Sequence, residues 1–106
     1  MIRLRFPKRI QIGGKTFEVV TDKERRDAEF SWHEGKLTIG IAEIKDDPVW
    51  VFRRVVHEVF EMWAVSLNIR YSRPDEWASY EFHFDHRDFD NLCDNATGTL
   101  AEFIAR

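Results

Sequence analysis

The sequence lacks the features of membrane and secreted proteins. It contains one cysteine, Cys93, so no disulfide can form within the chain, and this favours a reducing compartment. No apolar run approaches the roughly 20 residues that a membrane-spanning helix needs. The N-terminus also lacks the apolar core of a signal peptide. We therefore expect a soluble, cytoplasmic protein with no membrane partner.

An excess of charge of one sign is also missing. The net charge is −3 over 106 residues, and the main basic group is a short N-terminal cluster of Arg3, Arg5, Lys8 and Arg9. Such a cluster is more typical of a solvated strand edge than of a nucleic-acid-binding patch, so no nucleic-acid partner is expected. The length suits one domain, residues 1–106. Nothing in the sequence indicates the oligomeric state.

The chain contains only five glycines and three prolines. Their positions divide it into a strand-rich half (1–45) and a helical half (46–106). In the first half, apolar and β-branched residues flank Gly13-Gly14 and Glu34-Gly35. This pattern predicts two hairpins, with strands at 9–12, 16–20, 28–32 and 36–42. The expected product is a small antiparallel sheet with one buried face.

The second half predicts two principal helices and hence an α+β fold. Asp47 is a suitable N-cap and Pro48 a suitable first helical residue. The following stretch, 49–67, contains no glycine or proline. Its apolar residues recur mostly three and four apart, as on one face of a helix: Val49, Phe52, Val56, Val59, Phe60, Trp63 and Leu67. A second helix is expected to begin between Asp75 and Asp85 and to carry Phe82, Phe89, Leu92, Ala96, Leu100 and Ile104.

The first predicted helix contains a possible metal-binding motif, His57-Glu58-Val59-Phe60-Glu61. Residues four apart on a helix are neighbours on one face, which brings His57 and Glu61 together. Imidazole nitrogen and carboxylate oxygen are both good zinc ligands. Glu58 would then be the general base, as in the His-Glu-x-x-His helix of metalloproteases. The pair His33-Glu34 has Leu37 at the fifth position, lies in a predicted turn, and should be ordinary surface.

A third ligand has to come from another element. Two histidines near the start of the second helix, His83 and His86, are the candidates. Either would give two histidines and one carboxylate, the ligand composition of many catalytic zinc sites. Asp85 or Asp90 could orient the ligating histidine from outside the ligand set. The residues alone leave the choice between His83 and His86 open.

The whole arrangement resembles the small zincin-like metallopeptidase domains of phages and bacteria, compact relatives of the gluzincin type. The resemblance rests on His57-Glu58-Val59-Phe60-Glu61 and on His86, 25 residues after Glu61 and followed by apolar residues at helical spacing. Its variant feature is Glu61, where the common motif has a second histidine. The resemblance implies one zinc ion on His57, Glu61 and His86, Glu58 as base, and two helices packed on a small sheet.

The function expected from this reading is zinc-dependent hydrolysis, with a peptide or protein as substrate. Metal-activated water would attack the substrate and Glu58 would handle the proton. The alternative is a non-catalytic, metal-containing protein-interaction module that keeps the zincin-like fold.

Overall fold

The computed structural model describes residues 3–68, 70–72, 80–82 and 85–105. Within these ranges the chain forms six strands and two helices. In chain order they are β1 (Arg9–Ile12), β2 (Lys15–Asp22), β3 (Ala28–Ser31), β4 (Lys36–Gly40), α1 (Pro48–Ser66), β5 (Arg70–Ser72), β6 (Tyr80–Phe82) and α2 (His86–Ala101). The fold is α+β, as the sequence predicts.

The main sheet has the strand order β1-β2-β4-β3. Both predicted hairpins form, because β1 pairs antiparallel with β2 and β3 pairs antiparallel with β4. The hairpins join through β2 and β4, which run parallel. The expectation of a wholly antiparallel sheet is therefore wrong in this pair. After β2 the chain does not continue into the adjacent strand of the sheet. It first forms β3 at the outer edge, and β4 then lies between β2 and β3.

Helix α1 begins and ends where the sequence indicates. The Asp47 side chain accepts a hydrogen bond from the backbone N–H of Trp50 at 3.1 Å, which satisfies one of the free donors of the first turn. Pro48 follows as the first helical residue. After Ser66 the chain leaves the helix, and Asn68 adopts a positive φ of 59°. Asparagine tolerates this left-handed conformation better than most residues do.

The buried surface of α1 is wider than one stripe. Val51, Val55, Val59 and Met62 are fully buried and pack against the sheet residues Ile10, Ile12, Phe17, Leu37 and Ile39. A second side of the helix contacts α2, where Phe60, Trp63 and Leu67 pack around Ala64 and Leu92. Val49, expected in the apolar stripe, is 62% exposed instead. The apolar stripe predicted from the sequence is the surface of α1 nearer to α2. The main sheet contacts a different surface of the helix, the one that contains Val51 and Val55.

Helix α2 begins at His86, after a two-stranded sheet in which β5 pairs with β6. Phe82 pairs with Arg70 in that sheet, so its assignment to the second helix is wrong. Asp85 caps α2 by accepting from the backbone N–H of Asp88 at 2.9 Å, and the Asp88 side chain accepts in turn from the backbone N–H of Asp85 at 3.3 Å. Leu92 and Ala96 are buried as predicted.

The helices in the described part of the chain include none with both the length and the apolar character required to cross a bilayer.

Substitution of Gly40 should destabilise the fold, because the segment between β2 and β3 wraps around the end of β4. A Cβ atom at Gly40 would lie 2.5 Å from the backbone oxygen of Arg25 and nearer still to that of Asp27. We expect Gly40→Ala to lower the free energy of unfolding by about 1–3 kcal/mol, the usual cost of overpacking. Urea denaturation measures it. Gly14→Ala is the control, because a Cβ there meets nothing within 4 Å, and equal midpoints for the two variants would contradict the prediction.

Substitution of Gly98 should have the opposite effect. Gly98 lies exposed inside α2, and a Cβ atom there also meets nothing within 4 Å. We expect Gly98→Ala to raise the free energy of unfolding by about 0.5–1 kcal/mol, because alanine restricts the unfolded chain and favours helix. The exposed neighbour Thr97 provides the reverse experiment. Thr97→Gly should lower stability, by a smaller amount, because threonine is itself only a moderate helix former. An unchanged or lower midpoint for Gly98→Ala would refute this reading of the helix.

Candidate metal centre

The candidate site lies on the side of α1 that neither the main sheet nor α2 covers fully. On a helix of 3.6 residues per turn, Trp50, Arg54 and Glu61 lie within about 60° of His57 around the axis. We call Trp50, Arg54, His57 and Glu61 the polar stripe. The fully buried residues Val51 and Val55 lie about 120° and 160° from His57 by the same geometry. The packing of these valines on the sheet therefore turns the polar stripe outward.

Three side chains of α1 bring metal-ligand atoms together. Nε2 of His57 is 3.2 Å from Oε1 of Glu61 and 3.7 Å from Oε2 of Glu58. One ligand atom from each of the three lies within 4.8 Å of the other two. The side chains are exposed to different degrees, 52% for His57, 26% for Glu61 and 10% for Glu58. Solvent reaches the histidine freely, whereas Glu58 stands against the core.

This donor set fits a zinc ion. Zinc binds imidazole nitrogen and carboxylate oxygen at about 2.0–2.2 Å in a tetrahedron, so two ligand atoms on one ion lie about 3.3–3.5 Å apart. The 3.2 Å between His57 and Glu61 is close to that spacing. With a protonated imidazole, the same atoms would form an ion pair instead. Two ligands from one helix also leave coordination positions open for other groups.

The predicted third ligand, His86, lies apart from this cluster. It is the first residue of α2, its side chain is 91% exposed, and its Nε2 is 3.4 Å from Oδ2 of Asp90. The group of three described residues that could hold a metal consists of His57, Glu58 and Glu61 and does not include His86. Zinc ligation by His86 therefore stays a prediction. The other candidate, His83, lies outside the described residues.

The two acidic residues expected to orient a ligand occupy different positions. Asp90 faces His86 at the distance given above, one turn further along α2. Asp85 is the N-cap of that helix, and its carboxylate accepts the backbone N–H of Asp88. In this structure Asp85 thus holds the start of α2. The comparison pair His33-Glu34 is exposed in the turn between β3 and β4, as predicted.

Sequence reasoning missed an aromatic and arginine cluster on the polar stripe. The guanidinium carbons of Arg26 and Arg54 lie 5.5 and 5.2 Å from the centre of the Trp50 ring. The indole N–H of Trp50 donates to the backbone oxygen of Arg26 at 2.7 Å. The spacing of four between Trp50 and Arg54 was available as a signal. The contribution of Arg26, 24 residues away along the chain, depends on the tertiary fold.

Comparison with known proteins adds no family to these observations. The chain matches no protein-family model, no curated protein and no solved structure.

Proposed function

We propose that the chain binds one zinc ion through His57 and Glu61 and acts as a zinc-dependent hydrolase on a peptide or protein substrate. The observation that supports this most directly is the 3.2 Å between Nε2 of His57 and Oε1 of Glu61, a separation suited to two ligands of one ion. The role expected for Glu58 rests on the resemblance of His57-Glu58-Val59-Phe60-Glu61 to the zincin motif, as inferred from the sequence. Reducing conditions, and hence the cytoplasm, suit the unpaired Cys93.

The residues around the ion have separate tasks in this proposal. Bound zinc would supply a Lewis acid that polarises the substrate carbonyl and activates water. Glu58 would accept the proton of that water and pass it to the leaving group. The distance of 3.7 Å between its Oε2 and Nε2 of His57, the proposed ligand atom, supports this role. Burial against the core keeps Glu58 in one place, as a general base requires.

A non-catalytic, metal-containing interaction module is the second candidate. The exposure of the site favours it, because the His57 side chain is 52% open to solvent, whereas catalytic pockets usually enclose their ligands. Such a module would bind the same ion with the same residues. The module differs from the hydrolase only in that it does not cleave the peptide. Binding and hydrolysis assays on one protein preparation therefore distinguish the two functions.

Zinc titration tests the ligand assignment. We expect chelator-treated protein to bind one equivalent of zinc in isothermal titration calorimetry. His57→Ala should weaken binding by at least about 100-fold, because loss of an outer-shell partner alone costs about 10–100-fold. His33→Ala is the matched control, since His33 is also an exposed histidine followed by glutamate, and it should bind like the wild type. Unchanged affinity in His57→Ala would sink the assignment.

The same titration identifies the third ligand. If His86 moves onto the ion when zinc is present, His86→Ala should lower affinity as strongly as His57→Ala does. If its affinity equals that of the wild type, His86 is not a ligand, and His83→Ala becomes the informative variant.

Substitution of Glu58 tests the chemistry. We expect Glu58→Gln to keep zinc affinity within about tenfold, because the proposed general base is not a ligand, and to lower peptide hydrolysis by about 10²–10⁴-fold, the usual contribution of general base catalysis. Hydrolysis would be followed on a broad peptide library with zinc-loaded protein. Zinc binding in both proteins without turnover in either would favour the interaction module.

A further inference from the structure

Arg54 has a charge for which the described part of the chain provides no counter-charge. Its Nε atom is buried without a hydrogen-bond partner among the described residues. The side chain as a whole is only partly buried, so it also borders solvent. A buried donor left unsatisfied is unfavourable, and a guanidinium has five N–H groups to satisfy. Because Nε is itself closed to solvent, an added anion would contact the Nη groups, which extend beyond it.

The neighbouring arginines differ from Arg54 in this respect. Arg25 contacts Asp27 at 3.0 Å and Glu29 at 2.9 Å. Arg26 contacts Glu43 at 3.0 Å. These two guanidinium groups have carboxylates from the chain itself, although they lie in the same region as Arg54. Of the three arginines Arg25, Arg26 and Arg54, Arg54 is thus the one for which the described residues provide no carboxylate contact.

Stacking on Trp50 holds the Arg54 guanidinium in place. The guanidinium carbon is 5.2 Å from the ring centre, and the ring is itself fixed by the 2.7 Å hydrogen bond from its N–H to the backbone of Arg26. A planar guanidinium held in one orientation loses less conformational freedom on binding a carboxylate than a mobile lysine would. The stack thus prepares the charge for a ligand with two coplanar oxygens.

Arg54 also has the right position relative to the candidate metal centre. It belongs to the polar stripe with His57 and Glu61. At 1.5 Å per residue, its backbone lies about 4.5 Å from that of His57 along the helix axis and about 10 Å from that of Glu61. The guanidinium stacks on Trp50, one turn before Arg54, so its distance from the ligand atoms exceeds these backbone distances by up to about 5.4 Å. A few extended residues, at about 3.3 Å each, cover that span.

We propose that Arg54 binds a carboxylate of the peptide that occupies the metal centre, so that the site selects acidic peptides or free C-termini. This inference rests on the proposed hydrolase or binding function of His57, Glu58 and Glu61. It adds the chemical class of the ligand and the residue that recognises it. Arg54 acts here as a specificity residue, and zinc binding does not depend on it.

Peptide binding to the zinc-loaded protein tests the proposal. Three probes are used: acetyl-Ala-Ala-Ala as the free acid, the same peptide as its C-terminal amide, and the amide of acetyl-Ala-Asp-Ala. The NMR signal of the Arg54 Nε–H group reports binding, and the peptide spectrum checks that the probe stays intact. We expect the wild type to bind a carboxylate probe about tenfold or more tightly than the neutral amide, as a charge-assisted bidentate contact allows. Whichever acidic probe is preferred identifies the source of the carboxylate.

Two variants separate a specific contact from general attraction. Arg54→Gln should abolish the preference for the acidic probe and leave zinc affinity unchanged. Arg53→Gln removes the same charge from the adjacent exposed position and should keep the preference. Three outcomes would overturn the proposal. Arg54→Gln keeps the preference of the wild type for the acidic probe, both variants lose that preference equally, or the wild type shows no preference. Failure of zinc binding would appear in the metal titration instead, so the two failures can be told apart.

Discussion

Contact with two other layers fixes the orientation of helix α1. Val51, Val55, Val59 and Met62 are buried against the sheet, while Trp63 packs towards α2 and donates its indole N–H to Thr99 at 2.8 Å. Rotation of the helix by one residue, about 100°, would expose the valines and break this hydrogen bond. Its remaining side, which contains Trp50, Arg54, His57 and Glu61, is thereby turned away from the main sheet.

Glu58 lies at the boundary between this packing and the candidate site. It is 8% exposed, one of few charged residues buried among those described. An apolar residue there would fit the core edge without the cost of removing a carboxylate from water. The histidine nitrogen 3.7 Å away compensates part of that cost when the imidazole is charged.

Local rules account for most of what the sequence predicts correctly. The N-cap of Asp47, the turn at Gly13-Gly14 and the adjacency of His57 and Glu61 each depend on residues within four positions of one another. The parallel pairing of β2 with β4 and the β5–β6 sheet depend on contacts between distant segments, which a one-dimensional pattern does not contain. Val49 illustrates the same limit, because helical periodicity locates apolar residues but does not say which side the sheet covers.

The sequence leaves the third ligand open for the same physical reason. Leu92 of α2 packs beside Ala64 of α1, and the two helices diverge or converge from that point according to their crossing angle. His57 is seven residues before Ala64, about 10 Å along its axis, and His86 is six residues before Leu92, about 9 Å along its own. Trp63, next to Ala64, bonds to Thr99, seven residues after Leu92, so the helices run antiparallel and these two distances point in opposite directions. The packing therefore places His57 and His86 on opposite sides of the contact. A spacing of 25 residues between Glu61 and His86 does not encode that direction. The proposed zinc site of His57 and Glu61 would therefore take its remaining ligands from another source, and a carboxylate-bearing peptide held by Arg54 is the source that the proposals above provide.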